Sequence, residues 1–291
     1  MSHHHNRVRA AIRRSAPALL LALATIACDT PGRAAPPSAD AATRGFRAEH
    51  APAAVAQAPA PELKGAFRVA YPAAKDATFA EWRNDYRNAR FLEGLAEWLN
   101  GWIALPSDIT LVMGECGEPN SFYEPKDREV IVCYELVEDL DGMFSEEEDP
   151  GQAVDDALVF TALHEVGHAL VDVLDLPVTG REEDAVDQLA AIVLADGSDE
   201  GDAAAINGVR GLPAEEVLDD TTFADEHALS GQRYYNVLCL VYGQDPDAYA
   251  AWLSDGTLPR DRADRCQEEY EHASSAWNRL LEPYLKESPK S

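Results

Sequence analysis

The stretch His164-Glu165-Val166-Gly167-His168 lies within a long, apolar, helix-forming segment of the 291-residue chain. Residues four positions apart lie on one face of a helix, about one turn from each other. A single tetrahedral Zn²⁺ can therefore bind both imidazoles, and the glutamate between them lies beside the water that the metal holds. The pentapeptide predicts one zinc ion, with His164 and His168 as ligands and Glu165 as the general base.

The residues around the pentapeptide favour this interpretation over a chance match, which the eight histidines of the chain would otherwise allow. Asp149 has the character of an N-cap and Pro150 suits the first helical position. The helical pattern then continues without a breaker to Pro177, with Gly167 as a site of close packing by a neighbouring helix. Two histidines and a glutamate buried on an apolar helix would be costly without a shared partner, and a metal ion supplies one.

A second helix is predicted directly after the first. Pro177 ends the first helix. The sequence Thr-Gly-Arg-Glu at 179–182 has the form of a capping box, so the second helix should begin near Thr179. In that arrangement Glu182 serves the cap and points away from the histidines. With only a short turn between them, the two helices should pack antiparallel.

Two acidic residues on the second helix share a face that should return toward the histidines. Glu183 is predicted as the third zinc ligand, and Asp187 as the acceptor of a hydrogen bond from the outer nitrogen of a ligand histidine. Asp184, or a directly ligating Asp187, is an alternative third ligand. The acidic run at 181–187 could instead be a solvated helix face, the usual role of such a run. Its spacing from the histidines favours the metal site.

The combined pattern resembles that of the gluzincins, in which HExxH is followed by Glu-x-x-x-Asp. The longer segment 164–190 resembles an uncharacterised bacterial family described as metallopeptidases, and this similarity extends over about 79–285. The link between the two helices is shorter than in the thermolysin-like pattern, and no downstream histidine motif can be recognised. On this resemblance the zinc ligands are His164, His168 and Glu183, the catalytic base is Glu165, and the carboxylate behind a ligand histidine is Asp187.

The function that follows from these residues is a zinc-dependent peptidase, which hydrolyses peptide or protein substrates by Glu165-assisted attack of zinc-bound water. His227, Tyr234 or Tyr235 could stabilise the developing oxyanion, although a structural role is the more usual one for each residue. Two alternative functions stay open: a non-catalytic metal-binding lipoprotein that binds a partner, and a zinc hydrolase of non-peptide amides. An intact Glu165 argues against the first alternative.

The N-terminus has the composition of an export signal. Four arginines precede an apolar stretch at 16–27 that is too short for a membrane-spanning helix. Small residues before Cys28 resemble a lipobox. They predict a lipoprotein-type signal peptide at 1–28, with a lipid anchor on Cys28; ordinary signal cleavage is the alternative. The Ala- and Pro-rich segment 29–63 predicts a disordered tether. We therefore expect an exported, periplasmic or cell-envelope lipoprotein.

Charge and cysteine content agree with export. The chain has 24 basic and 52 acidic residues, a net charge of −28 that argues against nucleic acid as a partner. Apart from Cys28, four cysteines remain, an even number that predicts two disulfides in an exported protein. Proximity in sequence favours Cys116–Cys133 and Cys239–Cys266, one of three possible pairings.

Residues 64–287 are predicted to form a single α+β domain, mostly helical and zincin-like. Segments 109–112 and 129–133 have strand character and are predicted to form an antiparallel hairpin, one strand of which could bind an extended substrate along the cleft. The active-site helix and C-terminal helices should follow. Helical spacing also recurs at 82–102, and the C-terminal helices are expected at 202–209, 213–218, 222–242 and 262–285.

Overall fold

The computed structural model describes residues 62–212 and 219–286. These residues form a mostly helical fold with one small mixed sheet, which confirms the predicted α+β class. Within the described ranges, no helix is long and apolar enough to cross a membrane. The predicted signal peptide with Cys28, nearly all of the predicted tether and the predicted helix at 213–218 lie outside the described residues.

The described elements begin with the sheet and the helices that precede the motif. The strands are β1 (Phe67–Ala70), β2 (Ile109–Gly114), β3 (Ser121–Glu124) and β4 (Glu129–Cys133). The first helices are α1 (Ala77–Ala89), α2 (Phe91–Trp102) and α3 (Tyr134–Met143). The motif lies on α4 (Pro150–Val173), and the helices after it are α5 (Glu182–Leu194), α6 (Asp199–Arg210), α7 (Asp220–Ala224), α8 (Ser230–Gln244), α9 (Trp252–Asp255), α10 (Arg260–Ala263) and α11 (Cys266–Leu281).

The sheet has the strand order β1-β2-β4-β3. β2 pairs in parallel with both β1 and β4, and β3 pairs antiparallel with β4. The predicted antiparallel hairpin of β2 and β4 is therefore wrong, although the two strands are neighbours. The reason is that β3, which was not predicted, lies in the connection between them and forms the hairpin with β4. β4 consequently runs in the same direction as β2.

Both predicted disulfides, Cys116–Cys133 and Cys239–Cys266, are present. The first joins the loop after β2 to the last residue of β4, and the second joins α8 to the first residue of α11. The Glu135 carboxylate also accepts hydrogen bonds from the backbone N–H groups of the first cysteine and its neighbour. The loop after β2 is therefore fixed to the start of α3 at two places.

The motif helix α4 begins where the sequence predicts. The Asp149 carboxylate accepts a hydrogen bond from the backbone N–H of Gln152, and Pro150 is the first helical residue. Most of α4 is buried, including His164, which is 4% exposed, and Glu165, which is 6% exposed. The motif therefore lies inside the core rather than on a solvated helix face.

The start of the next helix differs from the prediction. α5 begins at Glu182 rather than near Thr179, and its N-cap, Arg181, makes no side-chain capping bond. The predicted capping box is wrong because Gly180 has a φ of 94°, a left-handed conformation that turns the chain just before the helix begins. As a result, the side chain of Glu182 is not used as a cap.

The C-terminal half is helical as predicted, but the two long helices predicted there are divided, whereas α6 is longer than the predicted 202–209. The predicted helix at 222–242 is two helices, α7 and α8, separated by the loop 225–229. In this loop the Asp225 carboxylate accepts a hydrogen bond of 2.8 Å from the backbone N–H of His227, and such local bonds compete with helix formation. In place of the helix predicted at 262–285, α10 and α11 are present. The break between α7 and α8 leaves His227 on a loop.

Close packing between α4 and α5 explains the glycine within the motif. A Cβ atom on Gly167 would lie 2.7 Å from the Cβ atom of Val186 on α5. Real Cβ atoms do not approach so closely, and the contact is to the base of a β-branched side chain that cannot rotate away. The missing side chain at 167 thus lets the acidic start of α5 lie against the histidines of α4.

We expect Gly167→Ala to destabilise the fold by about 1–3 kcal/mol, the usual cost of overpacking, and to weaken metal binding by displacing α5. Urea unfolding measures the first effect and zinc titration the second. The matched control is Gly142→Ala on α3, where a Cβ atom meets nothing within 4 Å. Equal stability of the two variants would contradict the close contact.

Candidate active site

The turn between α4 and α5 brings the predicted site residues together. His164 and His168 project from one face of α4, with ring centroids 5.0 Å apart. The Glu183 carboxylate, in the first turn of α5, lies against both rings. Its Oε2 is 3.1 Å from Nε2 of His164, and its Oε1 is 3.2 Å from Nε2 of His168. Glu183 is therefore the acidic residue of α5 that reaches both histidines.

A third imidazole faces the same carboxylate. Nε2 of His227, on the loop between α7 and α8, is 3.0 Å from Oε2 of Glu183. The ring of His227 is stacked on that of His164, with centroids 6.1 Å apart. Its side chain is 39% exposed, compared with 5% for His164. Three Nε2 atoms thus surround one carboxylate, and His227 is the most exposed of the three imidazoles.

Each of the three imidazoles has a second carboxylate at its outer nitrogen. The pairs, measured from Nδ1 to the nearest carboxylate oxygen, are His164–Asp187 at 2.7 Å, His168–Glu182 at 2.8 Å and His227–Asp225 at 3.0 Å. A carboxylate at Nδ1 keeps a proton there and leaves Nε2 to face the centre of the cluster. Asp187 thus lies where it was expected, whereas Glu182, expected to point away, contacts a motif histidine.

Asp187 is in turn held by an arginine of α8. The Arg233 guanidinium donates from Nε to Oδ2 at 2.7 Å and from Nη2 to Oδ1 at 2.8 Å. This two-point geometry is strong and directional. Both side chains are largely buried, with 13% of Arg233 and 9% of Asp187 exposed. Because both oxygens of Asp187 are engaged, the carboxylate is fixed, and the ring of His164 is fixed through it.

Burial and hydrogen bonding shift the pKa values of the cluster in opposite directions. Burial lowers the pKa of His164, but hydrogen bonds to Asp187 and Glu183 outweigh it and raise the pKa to about 9. Burial raises the pKa of Glu183, but its bonds to the three imidazoles bring that pKa far below its usual range. The pKa of Glu165 is raised, chiefly by burial. The carboxylate inside the motif is therefore the one that binds a proton more readily than usual.

The donor set fits a divalent cation, and zinc in particular. Two imidazole nitrogens and one carboxylate oxygen form a ligand set found at catalytic zinc sites, which keep one position open. A cation would take the place of protons at Nε2, because metal ligation requires neutral imidazole. The ligand atoms of His164, Glu183 and His227 also lie within 4.8 Å of one another. His227 is therefore a geometric alternative to His168 as the second imidazole ligand.

Other residues considered from the sequence lie outside the cluster. Tyr234 packs against the core, and its ring makes an edge contact with that of Tyr235, which is exposed. Among the described residues, the carboxylates that contact the three imidazoles do not include Asp184. The geometry favours His227 over both tyrosines as the group nearest the reacting centre, and Glu183 over Asp184 as the third ligand.

Three residues of the cluster were not recognised in the sequence. Arg233 lies beside the candidate tyrosines at 234 and 235, but its partner Asp187 is 46 positions away, so the sequence did not indicate the pairing. Asp225 had a usable signal, because an Asp two positions before a His can form a local turn and hold the ring. Glu182 was noticed but was assigned to a helix cap. Arg233 was missed because its partner is distant in the sequence, and Glu182 was assigned wrongly because it also fits a local capping pattern.

Residues 71–281 match the model of a protein family described as "Putative metallopeptidase". The matched region is well over half of the chain and contains all three imidazoles and all the carboxylates of the cluster. No curated protein and no solved structure matches the chain. The family match agrees with the chemistry of the donor set, which suits a metal ion. The chain belongs to this metallopeptidase family, as its resemblance predicted.

Proposed function

We propose that the protein is a zinc-dependent peptidase in which His164, His168 and Glu183 hold one Zn²⁺. The proposal is supported by the convergence of two Nε2 atoms from one face of α4 on a carboxylate of α5, 3.1 and 3.2 Å away, beside the buried Glu165. Membership of the family supports the general class. When bound, zinc would polarise the substrate carbonyl and lower the pKa of a water molecule.

His168 is a better second ligand than His227 for a physical reason. The backbone of α4 holds His164 and His168 on one face, whereas His227 lies on a loop and is 39% exposed. A catalytic zinc site keeps one position open, and a solvent-facing group beside that position is placed to meet a substrate. We therefore assign His168 to the metal and His227 to the substrate.

Glu165 is the proposed proton carrier. It is 6% exposed, and the burial that raises its pKa brings its proton affinity closer to that needed near neutral pH. Its carboxylate accepts a proton from the water that attacks the scissile carbonyl carbon. It then donates that proton to the leaving amine nitrogen as the C–N bond breaks, so that a carboxylic acid and an amine are formed.

His227 is the proposed donor to the carbonyl oxygen as negative charge develops there. Its ring is held by Asp225 at Nδ1. Hydrogen bonds to Glu183 and Asp225 raise the pKa of His227 and so favour the imidazolium, whose second proton lies on Nε2 and faces the site. Its backbone carbonyl accepts a hydrogen bond of 3.2 Å from Arg181, at the start of α5. The loop is therefore tied to the helix that supplies Glu183.

We expect His227→Ala to lower kcat by about 10²- to 10³-fold, the usual effect of removing one oxyanion donor, with little change in zinc content. Steady-state kinetics with zinc quantification measures both. Tyr234→Phe and Tyr235→Phe are the controls, because each removes only a hydroxyl at a residue outside the cluster, and kcat should be retained. Loss of zinc in His227→Ala would instead identify this residue as a metal ligand.

Removal of the metal is expected to abolish peptide hydrolysis, and one equivalent of zinc per chain should restore it. The experiment measures zinc stoichiometry and the cleavage of a mixed peptide library, before and after dialysis against a chelator. A buffer exchange without chelator is the control. Hydrolysis that persists after complete removal of zinc would exclude the proposed function.

We extend the proposal to an exported enzyme. The two disulfides are typical of proteins that fold in an oxidising compartment, and peptides or proteins are the substrates that the family suggests. Attachment of a lipid at Cys28 stays a prediction, because that residue lies outside the described part of the chain. Labelling with a radioactive fatty acid, with Cys28→Ala as the control, tests the anchor directly.

A further inference from the structure

A cavity of about 210 Å³ adjoins the catalytic residues, and His164, Glu165 and His227 are part of its lining. Pockets that hold a whole small molecule usually have volumes of about 300–1,000 Å³, while one water occupies about 30 Å³. A space of intermediate size beside the reacting centre is suited to one side chain of a larger substrate.

The other walls of this cavity combine apolar side chains with a smaller polar share, which includes Asn120, Ser121, Asp139 and Thr161. Leu136, Leu140 and Met143 lie at spacing i, i+4, i+7 on α3 and therefore share a helix face. Phe160 of α4 and Leu212 complete the apolar lining. Leu140 and Phe160 are each 2% exposed, whereas Met143 is 49% exposed. The cavity thus extends from a flexible methionine at the solvent side to a buried apolar floor.

The charges around the cavity disfavour an ionised side chain. Arg233, an arginine of the lining, is engaged at two points by Asp187. An acidic side chain would meet Asp139, which is also part of the lining, and the carboxylate of Glu165. A basic side chain could pair with Asp139 only near the exposed mouth of the cavity. A charged group that reached the buried floor at Leu140 and Phe160 would meet apolar atoms, which is costly. An uncharged side chain avoids both costs.

The walls are held in place by the fold itself. One wall is formed by Asn120 and its neighbours, and the backbone carbonyl of Asn120 accepts a hydrogen bond of 3.1 Å from the N–H of Cys133. The Cys116–Cys133 disulfide joins this wall to the start of α3, which carries the opposite one. A Cβ atom on Gly208 would lie 2.2 Å from Cγ of Phe160. α6 therefore packs directly on the Phe160 ring and fixes the floor.

We propose that this cavity is the specificity pocket of the enzyme. It accepts a bulky, uncharged apolar side chain, such as that of Leu, Phe or Met, from the residue next to the scissile bond. This inference rests on the proposed function and names its substrate class: polypeptides that are cut beside large apolar residues.

The test is to map cleavage positions in a mixed peptide library with the zinc-loaded wild-type protein and two variants. Met143→Glu places a charge in the cavity at an exposed position that the fold should tolerate. Gly142→Glu is the matched control: it adds the same charge on the same helix, its Cβ meets nothing within 4 Å, and it is not part of the lining. Glu165→Gln identifies background cleavage.

We expect wild type and Gly142→Glu to prefer Leu, Phe or Met at one position flanking the cleaved bond. For these peptides Met143→Glu should have a kcat/KM at least about 10-fold lower, a size typical of altered apolar pockets. Cleavage without an apolar preference, or a preference that Met143→Glu leaves unchanged, would overturn the pocket but not the peptidase. No Glu165-dependent cleavage by wild type would overturn the peptidase itself.

Discussion

Replacing Glu165 with glutamine is expected to lower kcat for peptide hydrolysis by about 10²- to 10⁴-fold, the range that general acid–base catalysis contributes, while one zinc ion stays bound. Glutamine has nearly the same shape but cannot accept a proton from water. The side chain is 6% exposed and lies on the rigid, buried α4. The substitution should therefore remove the proton carrier without moving the zinc ligands on the same helix.

Steady-state kinetics, zinc quantification and thermal unfolding of the Glu165→Gln variant check this expectation together. Asp184→Asn is the matched control, since it removes the same charge from the neighbouring helix at a residue that contacts none of the three imidazoles. The control should keep both zinc and turnover. A Glu165→Gln enzyme that turns over at the wild-type rate would exclude Glu165 as the base.

Replacing Glu183 with glutamine is expected to weaken zinc binding at least about 100-fold, beyond the 10- to 100-fold that loss of an outer partner costs, and to abolish hydrolysis at ordinary zinc concentrations. The reason is that, within residues 62–212 and 219–286, Glu183 is the one acidic side chain shared by all three Nε2 atoms, at 3.0 to 3.2 Å. A neutral amide offers a weaker ligand and presents N–H groups to the same nitrogens.

Zinc titration against a competing chelator measures the loss of zinc affinity. The same titration on variants of the neighbouring acidic residues identifies which of them is the third ligand. Asp187→Asn should lower the zinc affinity less than Glu183→Gln does, because Asp187 contacts the outer nitrogen of His164. Asp184→Asn should leave the zinc affinity unchanged. If Asp187→Asn or Asp184→Asn releases zinc more readily than Glu183→Gln, the assignment of Glu183 as a ligand is wrong.

Much of the candidate site could be predicted because its key relationships are local. The spacing of His164 and His168 places them on one helix face whatever surrounds the helix. The N-cap at Asp149 and the proline after it also act through neighbouring backbone atoms. Only the short connection 174–181 separates the motif helix from the helix that carries Glu183, so few arrangements of the two helices were possible. These are the features for which prediction and structure agree most closely.

Errors arose where two local patterns competed or where the partner was distant. Glu182 fits a capping box in sequence, yet Gly180 turns the chain and the carboxylate binds His168 instead. Segments 109–112 and 129–133 have strand character and were predicted to form a hairpin, but β3 lies between them and pairs antiparallel with β4, so that β2 and β4 are parallel. A strand pattern shows which residues can pair, whereas the direction of pairing depends on the connection.

The amino-acid sequence by itself determined the motif helix, its two histidines, the glutamate proposed as base and the acidic face that follows, because helical geometry relates residues three to four positions apart. Only the tertiary structure decided which groups complete the site. His227 reaches Glu183 and Arg233 reaches Asp187 across 44 and 46 positions of chain. Such contacts depend on how α8 and the loop before it pack on α5, and that packing follows from burial of many apolar side chains rather than from any local pattern.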